Sequence, residues 1–68
     1  MNISYDLYRI FCCVAECKSI TLAADKLYIS QPAVSQSVRQ LEESLGCALF
    51  TRTPKGVRLT SEGQTLYG

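Results

Sequence analysis

At 68 residues the chain holds one domain, and a domain this small buries only roughly 60% of its unfolded surface, so its core has to be economical. A hydrophobic share of 47% against 19% charged residues, with four Gly and two Pro, excludes a disordered or fibrous chain. No segment approaches the roughly 20 apolar residues of a membrane span and no basic run precedes an apolar stretch at the N-terminus, so the expectation is a soluble, cytoplasmic protein.

The net charge of +1 is a weak guide to partners, and the placement of the charges says more. Between Ser30 and Leu41 the only charge is Arg39, and between Thr51 and Leu59 the charges are Arg52, Lys55 and Arg58. The acids Asp6, Glu16, Asp25, Glu42, Glu43 and Glu62 all lie outside these two stretches.

The first predicted element runs from Tyr5 to Cys17. Leu7, Ile10, Phe11 and Val14 fall at offsets of three, four and seven, one stripe of a helix. Ser4 is its expected N-cap, Asp6 lies in its first turn, and Lys18 suits the negative pole at its end. Cys12, Cys13 and Cys17 belong to the same stretch and Cys47 stands apart. With no CxxC pair and no His, the spacing favours four reduced, mostly buried thiols over a disulfide or a zinc site. Redox control through these cysteines is the lesser alternative.

A second helix carries Ile20, Ala23, Ala24 and Leu27 at the same offsets, and its two alanines permit close packing. Tyr28, Ile29 and Ser30 interrupt the pattern. Ser30 followed by Gln31 and Pro32 reads as an N-cap and a proline-tolerant first turn. The third helix then places Val34, Val38, Leu41 and Leu45 on one side and stops at Gly46. Its other side shows Gln31, Ser35, Gln36, Arg39 and Gln40, which offer donors and acceptors without a carboxylate to repel phosphate.

Beyond Gly46 the period changes. Leu49 to Arg52 and Val57 to Leu59 flank the turn-rich tetrad Thr53-Pro54-Lys55-Gly56, which predicts a small hairpin. Thr60 is an N-cap and Glu62 a first-turn acid for a fourth helix, expected to run on beyond Gly68. The fold class expected is therefore mainly α: a three-helix core, a two-stranded β-hairpin wing, and the start of a fourth helix.

Two short helices joined by a three-residue turn, followed by a hairpin, have the outline of a winged helix-turn-helix. In that arrangement the second helix of the pair enters the major groove by its N-terminus, which puts Gln31, Pro32, Ser35 and Gln36 nearest the base edges. A Gln amide can pair with adenine, and Pro can touch a thymine methyl. Ser30, Arg39 and Gln40 suit the DNA backbone, and Arg52, Lys55 and Arg58 suit the backbone or the minor groove.

The runs Ser19 to Leu27, Ile29 to Ser35, Leu41-Glu42, Leu45-Gly46, Leu49 to Arg52 and Val57 to Thr60 strongly resemble the N-terminal domain of LysR-type transcriptional regulators. The resemblance covers nearly the whole chain. It implies a bacterial regulator whose residues 1–59 form the DNA-binding domain and whose residues 60–68 begin a linker helix. It further implies pairing of that helix in a homodimer or tetramer, and a C-terminal domain, outside this chain, that senses a small-molecule effector. Family base-contacting positions fall on Gln31, Pro32, Ser35 and Gln36, and the family wing arginine falls on Arg52. Many members carry Arg where this chain has Gln36, so a guanine preference does not transfer. Lys18 stands where a glycine is frequent.

Two other functions compete with DNA binding. An enzyme is disfavoured by the lack of His, of paired carboxylates in a plausible cleft and of a glycine-rich phosphate loop. A winged helix that binds another protein is the alternative, since fold alone does not settle function. No cofactor or metal is expected.

Overall fold

The computed structural model describes residues 5–68, so the expected Ser4 cap lies outside the described residues. The element order is α1 (Tyr5–Cys17), α2 (Ile20–Leu27), α3 (Gln31–Leu45), β1 (Phe50–Thr53), β2 (Gly56–Leu59) and α4 (Ser61–Tyr67). The described residues are mainly helical with one two-stranded antiparallel hairpin, a winged helix-turn-helix.

The helical stripes read from the sequence are the faces that bury. On α1, Ile10, Phe11 and Val14 are buried; on α2, Ala23 and Ala24; on α3, Val34, Val38 and Leu41. These residues form two adjoining clusters. Ile10 and Val14 join Ala23, Ala24, Val34, Val38 and Val57, while Phe11 packs on Leu41 and Leu49. Phe11 also stacks in tilted geometry on Phe50, with ring centroids 5.4 Å apart, so one α1 side chain joins the helical core to the root of the hairpin.

Caps explain where the helices start and stop. Ser19 accepts a hydrogen bond from the Leu22 amide and Ser30 one from the Ala33 amide, each at 3.2 Å. Helix α2 ends on Tyr28 in the left-handed conformation (φ 59°), and the Ile29 amide reaches back to the Ala24 carbonyl. Helix α3 ends in the same way at Gly46 (φ 74°), with Cys47 reaching Glu42. Lys18, just past α1, is a third left-handed residue (φ 56°), and its amide donates to the Val14 carbonyl at 2.8 Å.

The hairpin is shifted slightly from its expected bounds. Leu49 lies ahead of β1 as a core residue, and Thr53 pairs with Gly56 as the last rung, leaving Pro54 and Lys55 as the turn. Gly56 makes this possible: at φ 144° it passes so close to Lys18 that a Cβ would sit 2.2 Å from the Lys18 carbonyl oxygen. The next residue, Val57, donates its amide to that oxygen at 3.1 Å, which ties the outer edge of β2 to the α1–α2 corner.

The cysteines also differ from expectation. All four are free thiols, but each is half-buried at the edge of a cluster rather than within one. Burial, and then the neighbouring Cys17 thiol one helical turn away, push the Cys13 thiol above its ordinary pKa.

Candidate nucleic-acid interface

Helix α3 is held from below by its apolar stripe and presents a continuous polar groove above. Pro32, Ser35, Gln36, Arg39, Gln40 and Glu43 line that groove. All are exposed except Ser35, which is half-buried. The groove is neutral to basic over its N-terminal half and ends in a carboxylate. Glu43 is the residue that the sequence reading did not place on this face, and it makes the C-terminal end unfavourable for phosphate.

The N-terminal half opens onto a second concavity. Gln31 and Ser35 of α3 face Ser19 and Thr21 at the start of α2, with Arg52, Thr53 and Pro54 of the hairpin closing the side. Arg52 also shares a hollow with Ser35, Arg39 and Glu42. Four of the sequence-derived residues, Gln31, Ser35, Arg39 and Arg52, thus converge on one side of the molecule. Gln36, Gln40 and Pro32 continue it along α3. Ser30 sits at its edge, with its oxygen accepting from Ala33 and its hydroxyl hydrogen still available to a phosphate.

The hairpin basic residues do not all join this side. Cross-strand partners share a face, and Arg52 pairs with Val57 whereas Arg58 pairs with Thr51. Arg52 and Arg58 therefore project from opposite faces of the wing. Lys55 and Arg58 border a separate hollow that no α3 residue lines.

Glu42 positions the wing. Its Oε2 accepts hydrogen bonds from the Leu49 amide at 2.7 Å and the Phe50 amide at 3.3 Å, fixing the start of β1 against α3. Thr60 closes the other end: its hydroxyl donates to the Ala48 carbonyl at 2.7 Å and accepts from the Gly63 amide at 3.0 Å. The Thr60 cap was readable from sequence; the Glu42 role was not, because its partners lie seven and eight residues ahead and are backbone amides of any identity.

The whole of this framework, α1 to the start of α4, matches the family model described as "Bacterial regulatory helix-turn-helix protein, lysR family" over residues 5–64. The chain belongs to this family. It is 46% identical over 67 residues to the RuBisCO operon transcriptional regulator of Allochromatium vinosum, covering 98% of this chain and 22% of that protein. It is 44% identical over 63 residues to the HTH-type transcriptional regulator CysL of Bacillus subtilis (strain 168), covering 93% of this chain and 21% of the other. The chain thus spans about a fifth of the length of these curated relatives.

Among solved structures, a complex of BenM_DBD with catB site 1 DNA superposes with a TM-score of 0.91 at 42% identity, covering 96% of this chain and 72% of that one. A CbnR_DBD–DNA complex gives 0.92 at 31% identity, covering 96% of this chain and 75% of that one. No described helix is long and apolar enough to cross a membrane.

Proposed function

We propose that this domain is the reading head of a bacterial LysR-family transcription regulator and binds duplex DNA sequence-specifically. Helix α3 enters the major groove by its N-terminal half, with Gln31, Pro32, Ser35 and Gln36 at the base edges. Ser30, Arg39 and Gln40 hold the backbone, and Arg52, Lys55 and Arg58 hold backbone or minor groove from the wing. The observation that carries this reading is the convergence of Gln31, Ser35, Arg39 and Arg52 on one surface, where Glu42 is engaged by the Leu49 and Phe50 amides and Glu43 lies at the far end of the α3 groove.

On the same reading, residues 1–59 are the DNA-binding unit and residues 60–68 open a linker helix that pairs with a second copy. The complete regulator is then a cytoplasmic homodimer or tetramer, with a small-molecule effector acting through a further domain. The domain performs no catalysis of its own.

Fluorescence anisotropy with an A/T-rich duplex tests the proposal. Affinity is expected to fall with salt at a log–log slope of about 0.9 per phosphate neutralised. Replacing Gln31 and Gln36 together by Ala should sharply reduce preference among duplexes while leaving that slope intact, because amide contacts to bases release no counterions. A salt-independent affinity, or a sequence preference unchanged by the double replacement, contradicts it.

A further inference from the structure

Two of the four thiols stand together. Cys13 and Cys17 both belong to α1, and both pack half-buried against the cluster that holds Val14, Ala23, Ala24 and Val34. Residues at this spacing are neighbours one turn apart on a helix surface. The Cys13 Sγ donates toward the Ala23 carbonyl oxygen at 4.0 Å, and a hydrogen bond also joins the Cys13 and Cys17 thiols. The pair therefore sits at the seam between α1 and α2, the first helix of the helix-turn-helix, with its outer edge open to solvent.

Geometry limits what the pair can hold. Side chains four apart on a helix have Cβ atoms about 5–6 Å apart, and a disulfide needs about 3.5–4.5 Å, so the two sulfurs do not close on each other while α1 stays helical. A single bridging atom removes that limit. Among the described residues no group of three or more His, Cys, Asp or Glu is placed to hold a metal ion, which leaves no ligand set for a four-coordinate structural zinc. The bridging atom has to be satisfied by two protein sulfurs held side by side. A linear ion such as Hg(II) spreads its two sulfurs farther apart than hydrogen-bonded thiols stand, whereas a pyramidal trivalent arsenic centre keeps them close.

We propose that Cys13 and Cys17 form a chelating dithiol site for a trivalent arsenical at the α1–α2 seam. With an organoarsenic oxide, two S–As bonds form and the As–O bond breaks. The oxygen leaves with the two thiol protons as one water, and arsenic stays trivalent, so no oxidant or reductant takes part. With arsenous acid the same two S–As bonds form, two hydroxides leave with the two thiol protons as two waters, and the third hydroxide remains on arsenic. The closed ring spans the last turn of α1 beside Ala23. Cys12 and Cys47 border the other cluster, around Phe11, Leu41 and Leu49, and supply no third sulfur.

Phenylarsine oxide is the probe. One equivalent added to the reduced protein in a large excess of glutathione should give a single adduct in native mass spectrometry, heavier by one phenylarsenic unit less two hydrogens. A small dithiol should strip it, because a dithiol matches the chelate and a monothiol does not. Cys13→Ala and Cys17→Ala should each lower the affinity by about 100-fold, the advantage of the second point of attachment. Cys12→Ala and Cys47→Ala should bind as the wild type does. Circular dichroism checks that each variant is folded, and Cys→Ser at the same position replaces any that is not. Amide shifts on adding the probe should centre on residues 13–17 and 20–24. Wild-type affinity in a folded Cys13 or Cys17 variant, or an adduct that glutathione removes, overturns the chelate. Loss of the adduct in a folded Cys12 or Cys47 variant assigns the arsenic to another pair and overturns the proposal as well.

Discussion

Glu42 and Tyr28 show how much a single residue contributes here beyond its place in a pattern. The Glu42 carboxylate satisfies two backbone amides at the start of the wing, and hydrogen bonds to charged groups are worth about 1.5–3 kcal/mol. Glu42→Ala should destabilise the fold by about 2 kcal/mol in chemical denaturation and weaken DNA binding further by loosening Arg52. Tyr28 gives the opposite case. It is 94% exposed and left-handed, so its side chain contributes little packing while its backbone is strained. Relief of about 1–2 kcal/mol in Tyr28→Gly, less about 0.5–1 kcal/mol for glycine's chain entropy, leaves a net gain near 0.5 kcal/mol. Calorimetry should find a melting temperature a few degrees higher.

At the scale of elements, the wing and α4 are seated by glycines that admit no side chain. A Cβ on Gly56 would meet the Lys18 carbonyl oxygen at 2.2 Å, and one on Gly63 would meet the Leu49 carbonyl oxygen at 2.3 Å. Both clashes are with backbone, so Gly56→Ala and Gly63→Ala should each cost about 2 kcal/mol or more, and hydrogen exchange should show the hairpin opening in the first. On α3 the charge gradient makes a different prediction. Glu43→Gln should tighten DNA binding severalfold at low salt and hardly at all at high salt, since it removes one repulsion at the groove's far end. Helices α1 to α3 were legible in the sequence because their apolar stripes and the caps at Ser30 and Gly46 are local signals, and the start of α4 was legible from its Thr60 cap. The polar side of α3 that carries the candidate residues was legible for the same reason. What the sequence did not reveal depends on partners far along the chain: the seat of Gly56 on Lys18 and the grip of Glu42 on β1.

For the molecule as a whole, stability should decline at alkaline pH. Burial and Cys17 raise the Cys13 thiol; burial and the Glu16 carboxylate, which accepts the Tyr67 hydroxyl at 3.2 Å, raise the Tyr67 phenol; a hydrogen bond with Cys12 raises Tyr8. Each group keeps its proton longer when folded than when unfolded, so the unfolded state binds fewer protons in that window and unfolding becomes easier as pH rises. Melting temperature should be flat near neutrality, begin to fall above about pH 8.5 as the unfolded thiol titrates, and fall further past about pH 10 with the phenols. Cys13→Ala should remove the first part of the decline. The central claim concerns the surface formed by α3 and the wing, and NMR titration of isotope-labelled protein with an A/T-rich duplex addresses it most directly. The prediction is that amide shifts cluster on residues 30–40 and 51–58 and fade as salt is raised from low to moderate. Amides in those two stretches that stay still at low salt would contradict it.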